Sequence, residues 1–214
     1  MRITNEVQKM KKTIICNIPM TESIEAVRYI SDDKSIPAAE GKFYYPINAF
    51  LSKIIKAKDE LKVILLVKNN SFDHYKKNTE TFKKELAEAN SDIGAEIEYC
   101  IINTDFKEER SVHEKLLGEI VEKIDVGSNI IVDTTYGPKD LPIVVFTALN
   151  FAEKFLNCTV DNIIYGQANF VEGTIVDSKL CDITSLFYLS SITSTINCND
   201  PDKSKRMLNT LLNL

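Results

Sequence analysis

Five short apolar runs rich in β-branched residues, at positions 13–18, 63–67, 95–102, 129–133 and 162–165, recur along the chain with helix-length segments between them. No other feature constrains the fold as much. Short, nearly continuous apolar runs suit strands buried on both faces, and regular strand–helix alternation predicts a parallel sheet covered by helices. The third run alternates at first, as Glu96-Ile97-Glu98-Tyr99, which places it nearer a sheet edge.

The intervening segments carry helical spacing. Residues 46–58 begin with Pro46 at a first helical position and repeat apolar side chains at Ile47, Phe50, Leu51, Ile54 and Ile55. Residues 73–89 are strongly charged, with a sparse stripe of Tyr75, Phe82 and Leu86. Residues 109–124 carry Val112, Leu116, Leu117, Ile120 and Val121 on one face, whereas 141–156 is apolar nearly all round and is expected to be the most buried helix. After Tyr165 the rhythm changes. Segments 167–170 and 174–177 flank Glu172-Gly173, a hairpin signal, and 183–196 reads as another amphipathic helix. The expected fold is therefore α/β: a Rossmann-like, mainly parallel sheet with helices on both faces, then a C-terminal β-hairpin and helices. One domain spans 1–200. A tail over 201–214, basic first and then apolar at Met207, Leu208, Leu211 and Leu212, is expected to form a helix against the body or a partner.

Composition narrows the functional classes. With 44% hydrophobic and 27% charged residues, the chain matches an ordinary globular protein. A formal net charge of −5 argues against duplex nucleic acid as a partner, which needs a basic face, but leaves room for a small phosphate ligand. The five cysteines include no C-x-x-C pair, so neither a zinc site nor a disulfide framework is expected, and no metal or cofactor is predicted. The start of the chain is polar and charged, and no apolar run approaches the ~18 residues of a membrane span, so a cytoplasmic protein without membrane contact is expected.

In an open α/β sheet, ligands bind beyond the carboxyl ends of the strands, where strand order reverses. Two such ends are informative. The first strand ends in Asn17-Ile18-Pro19. The fourth ends in Asp133 and continues through Thr134, Thr135, Tyr136, Gly137, Pro138, Lys139 and Asp140 into the next helix. Gly137 permits a tight turn, Lys139 supplies charge, and the helix start offers N–H groups and a positive dipole end to a phosphate. The plainer reading is a strand-to-helix turn capped by Asp133 or Thr134, with Lys139 in solvent. Residues 20–45, about 26 in number, form a connection far longer than the usual 2–6 and are expected to act as a lid or as a surface insertion, with a short helix over 21–29.

The run IVDTTYGPKDLPIVVFTALNFAEKF resembles the strand-four signature of CARF (CRISPR-associated Rossmann-fold) proteins of type III CRISPR systems, through Asp133, Thr134 or Thr135, Gly137 and Pro142. Downstream, Tyr165-Gly166 and the helix start at Asp182 and Thr184 are similar to the same family, and Asn48, Ala49 and Leu51 fit its first helix. Tyr136 stands where histidine is usual, Lys139 where arginine often sits, and Asn17-Ile18-Pro19 replaces Thr/Ser-Leu-Gly. The resemblance implies a homodimer that binds a cyclic oligoadenylate, tetra-adenylate foremost, across its two-fold axis. Asn17, Ile18, Pro19, Thr134, Thr135, Tyr136, Gly137, Pro138 and Lys139 would line that site. It further implies that the ring can be cut without metal, with Lys139 and Asn17 as candidate catalytic residues; both histidines, His74 and His113, are expected to be exposed on helices away from the strand ends.

No second module fits after Asp200, so three roles stay open within the resemblance: a sensor of a separate effector, a ring nuclease, or the sensor fragment of a larger, fused effector. The alternative class is a dimeric interaction module without a ligand. A dinucleotide-dependent oxidoreductase is disfavoured because the first turn lacks glycine and contains Pro19. Neither G-x-x-x-x-G-K-[ST] nor G-x-S-x-G occurs, which removes P-loop and nucleophile-elbow chemistry.

Overall fold

Residues 9–69, 73–171, 174–196 and 198–213 are described by the computed structural model. Among them the strands are β1 (Met10–Asn17), β2 (Asp59–Lys68), β3 (Glu96–Thr104), β4 (Asn129–Asp133), β5 (Thr159–Val171) and β6 (Thr174–Asp182), in the sheet order β3-β2-β1-β4-β5-β6. The first five are parallel and β6 is antiparallel to β5. The helices are α1 (Pro46–Ile54), α2 (Asp73–Asn90), α3 (Arg110–Lys123), α4 (Leu141–Phe155), α5 (Thr184–Thr195) and α6 (Pro201–Leu212). This is the expected Rossmann-like α/β sheet, with β3 at the expected edge.

Strand periodicity divides the core into two layers. Ile14 and Cys16 point to one face, where they meet Phe50 and Leu51 of α1 and Phe82 and Leu86 of α2. Ile15 points to the other, against Leu116 and Ile120 of α3, Val145 and Leu149 of α4, and Phe187 of α5. Burying each such side chain is worth about 1.5–3 kcal/mol, and a slip of one residue would exchange the faces, so the register of β1 is fixed by both layers.

Three local expectations need correction. Helix α4 is not the most buried: Ile143 and Phe155 are 70% and 69% exposed, and all six residues from Pro46 to Leu51 in α1 are buried instead. An all-round apolar helix normally implies burial on all sides; here one side of α4 lies outside the chain's own core. Second, β5 continues through residues 167–170 instead of ending at Tyr165, because Gly166 does not interrupt the ladder. Third, no helix forms over 21–29. That segment is irregular and is held by single bridges, Val27 with Phe43 and, just beyond it, Ile30 with Lys179. The Glu172-Gly173 turn lies outside the described residues.

Among the described residues no helix is long and apolar enough to cross a membrane.

Candidate functional site at the strand ends

The chain leaves β1 toward β2 and β3 on one side and returns to β4 and β5 on the other, so strand order reverses between the adjacent strands β1 and β4. Their carboxyl ends, Asn17 and Asp133, bring the two predicted segments together.

The β4–α4 connection is built by internal hydrogen bonds. The Thr134 N–H and hydroxyl both donate to the Ile164 carbonyl, at 3.0 and 3.1 Å. The Thr135 N–H donates to Asp133 Oδ1 at 2.8 Å, and the Thr135 hydroxyl oxygen accepts the Gly166 N–H at 2.7 Å. Gly166 has to be glycine for this: a β-carbon there would stand 2.7 Å from Pro46 Cγ. Farther along, Gly137 adopts φ +115°, a conformation that side-chain-bearing residues rarely take. The Tyr136 hydroxyl donates to the Tyr44 carbonyl at 2.9 Å, which ties this connection to the long loop.

Asp133 is 4% exposed. Burial pushes its carboxyl up to about 6, although donation from the Thr135 hydroxyl and from the Thr135 and Ile47 N–H groups pulls the other way. Burial likewise raises the neighbouring Cys16 thiol and the Tyr29, Tyr45 and Tyr136 phenols.

The long loop over 20–45 packs onto this end of the sheet. Asn78 of α2 donates to the Pro19 and Thr21 carbonyls at 3.2 and 3.0 Å, and the Tyr45 hydroxyl donates to the Asn78 carbonyl at 2.8 Å. Glu85 accepts the Tyr44 N–H at 2.7 Å, the Tyr45 N–H at 3.2 Å and the Asn48 amide at 2.9 Å. On the far side, the Ser178 hydroxyl donates to the Arg28 carbonyl at 2.6 Å, and Ile30 bridges Ser178 and Leu180 through its backbone. Tyr29 and Ile36 from this loop enter the core.

The nine expected site residues are therefore presented unequally. Asn17, Ile18 and Pro19 are buried; Thr134, Thr135, Tyr136 and Pro138 are half-buried; Gly137 and Lys139 are exposed. The start of α4 is less open to a phosphate than its sequence implies. The Leu141 N–H donates to the Pro138 carbonyl, the Ile143 N–H to the Asp140 carbonyl, and Pro142 has no N–H to give.

The histidines also differ from expectation. His113, in the first turn of α3, meets Asp140 at 2.6 Å between Nε2 and Oδ2, beside Lys139 on the strand-end side of the molecule. His74 is half-buried and its ring lies 4.1 Å from that of Tyr75. Sequence reasoning also missed Asn78, Glu85 and Tyr29, since nothing local marks a helix residue as the anchor of a loop some 30 to 60 positions away. The resemblance motif at Asp182 and Thr184 has a plain structural use. Asp182 accepts the Thr184 N–H at 2.8 Å, and the Thr184 hydroxyl oxygen accepts the Ile163 N–H at 2.7 Å, joining the start of α5 to β5.

Fold and site together define a Rossmann-like α/β domain with a loop-covered strand end at its topological switch point. No family model matches the chain, and no curated protein matches it. Among the described residues, no group of three or more His, Cys, Asp or Glu side chains is placed to hold a metal ion.

Proposed function

We propose that this domain binds a cyclic oligoadenylate, tetra-adenylate foremost, at the strand-end face of a homodimer, as a sensor in type III CRISPR signalling. The observation that carries the reading is the pairing of exposed Lys139 with the φ +115° turn at Gly137, directly at the switch point between β1 and β4. That is where an α/β sheet receives ligands, and a lysine at the rim supplies charge to a phosphodiester without requiring a basic protein. A two-fold assembly matches an even-numbered ring with equivalent halves.

The loop over 20–45 gives the proposal a specific form. Ile18 and Pro19 lie beneath it, whereas the Asn17 side chain is covered by Gly137, so a ring that touches Ile18 or Pro19 binds only once the loop has lifted from Asn78 and Glu85. Binding through Lys139 and Gly137 alone leaves the loop in place.

Cleavage, if the domain is a ring nuclease, would proceed by attack of a ribose 2′-hydroxyl oxygen on the adjacent phosphorus. The P–O5′ bond breaks, and the products are a 2′,3′-cyclic phosphate and a 5′-hydroxyl. Lys139 would stabilise the charge on the phosphoryl oxygens.

The second reading, a ligand-free interaction module, is favoured by one observation: the Thr134 and Thr135 N–H groups and the Thr134 hydroxyl already donate within the protein. Thermal unfolding in the presence of cyclic tetra- and hexa-adenylate separates the two. Ligand at 100 times its dissociation constant stabilises the native state by about 2.7 kcal/mol, an unmistakable rise in Tm. No shift with either ring refutes the sensor reading, and linear product formed without metal and lost in Lys139→Ala establishes the nuclease.

A further inference from the structure

An apolar groove of about 550 Å³ runs between α3 and α4, floored by Leu117 and Val121 from one helix and by Phe151 and Phe155 from the other. Phe151 and Phe155 stack on each other with ring centroids 4.8 Å apart, yet they are 41% and 69% exposed. Exposed apolar surface of this kind, concentrated along one groove, marks an interaction site.

The same chain carries a helix with the complementary character. In α6, Met207, Leu208 and Leu211 fall at i, i+1 and i+4, with Leu212 beside them, and no residue of the helix is buried. Its start is well made: Asp200 accepts the Asp202 and Lys203 N–H groups at 3.0 and 3.1 Å. A capped, amphipathic helix with Met207, Leu211 and Leu212 exposed and Leu208 only half-buried has formed its polar contacts and left most of its apolar stripe unused.

Charge decides how such a helix would lie. Glu114 stands at one end of the groove and Lys154 at the other. Helix α6 carries Lys203, Lys205 and Arg206 against the one acid Asp202 in its first half, and no basic residue in its last turn. Laid parallel to α3 and α4, it sets its cationic first half toward Glu114 and its carbonyl-bearing, negative end toward Lys154, with the leucines over Phe151, Phe155 and Val121. The reverse direction brings its three cations toward Lys154.

The chain's own groove is on the wrong side for its own helix. Five residues of sequence separate α6 from α5, and α5 packs on the opposite flank of α4: Phe187 meets Phe146 edge to face, and the Tyr188 hydroxyl reaches Glu153 and the Val160 carbonyl. To reach the groove, α6 would have to cross over α4.

We propose that the α3–α4 groove receives helix α6 of a second copy of this chain, with the exchange made reciprocally about a two-fold axis. Each copy then contributes one helix and one groove, and the contact is isologous. This interface is independent of any ligand at the strand ends.

The test uses the full chain. Light scattering coupled to size exclusion is measured for the parent, for Leu211→Glu on the helix and for Phe151→Glu in the groove. Circular dichroism checks that each variant keeps the parental fold. The parent is expected to be a dimer, and each variant to dissociate at least tenfold more readily. Mixing the two variants should recover dimer, because one heterodimer contact pairs an intact helix with an intact groove. Glu114→Arg should weaken association, because it repels the cationic first half of α6. A monomeric parent, dimers indifferent to both substitutions, or failure of the mixture to associate would overturn the proposal.

Discussion

The Asn17 side chain occupies the space beside Gly137: a β-carbon on Gly137 would stand 2.9 Å from Asn17 Nδ2 and 2.7 Å from Leu141 Cδ2. The ends of β1 and β4 are thus interlocked through a residue that has no side chain.

Gly137→Ala is accordingly expected to destabilise strongly. Backbone strain at φ +115° costs on the order of 1–3 kcal/mol, and overpacking against Asn17 and Leu141 adds a similar amount. Denaturant unfolding should show a lower midpoint with little change in slope. A loss under about 0.5 kcal/mol, the size of an ordinary surface substitution, would show that the turn is not fixed as described.

Asp133 makes stability depend on pH with a definite sign. Its carboxyl is raised to about 6 in the native state, so between its unfolded value near 4 and about 6 the native state binds more protons than the unfolded state. Stability from this group is complete below about pH 4 and is lost as pH rises through about 6, by on the order of 3 kcal/mol. Glu85, also raised by burial, acts in the same direction. In Asp133→Asn, which keeps an acceptor for the Thr135 N–H, the fall in unfolding free energy between pH 4 and pH 7 should be smaller than in the parent. An unchanged pH profile would assign the dependence elsewhere.

Glu85 anchors the long loop through the N–H groups of Tyr44 and Tyr45. Its replacement by alanine leaves these donors and Asn48 without their acceptor, at a cost of about 1–3 kcal/mol for a buried group left unpaired. Hydrogen exchange should quicken across residues 20–45 and not in β2 or β4. Uniform quickening would mean global destabilisation instead of release of the loop.

Lys139 offers the opposite separation. It is exposed, so Lys139→Ala should leave unfolding within about 0.5 kcal/mol of the parent. Under the proposed function the same substitution weakens cyclic tetra-adenylate binding at least tenfold, read by isothermal titration. A large stability loss would place Lys139 in the scaffold.

The sheet was legible because its signals are local and repeated. Each apolar run needed only its own residues to declare a buried strand, and the alternating pattern of the 95–102 run placed β3 at the edge. The spacing in 46–58, 73–89 and 109–124 likewise announced α1, α2 and α3 before any contact was known. At the site, the sequence identified the β4–α4 connection and the need for glycine at its turn. It misjudged availability: whether Thr134 or the α4 N–H groups are free depends on Ile164, Gly166 and Asp140, which are matters of packing and of turn geometry.

By itself, then, the sequence determined the alternating α/β layout and the place where its strand ends converge, because hydrophobic periodicity acts over a few residues at a time. Only the tertiary structure decided what that convergence exposes. Asn78 and Glu85 hold the loop down from α2, His113 meets Asp140 between α3 and the start of α4, and one side of α4 stays exposed. These are pairings between residues far apart in the chain, and no local pattern encodes which donor will find which acceptor once the sheet has closed around them.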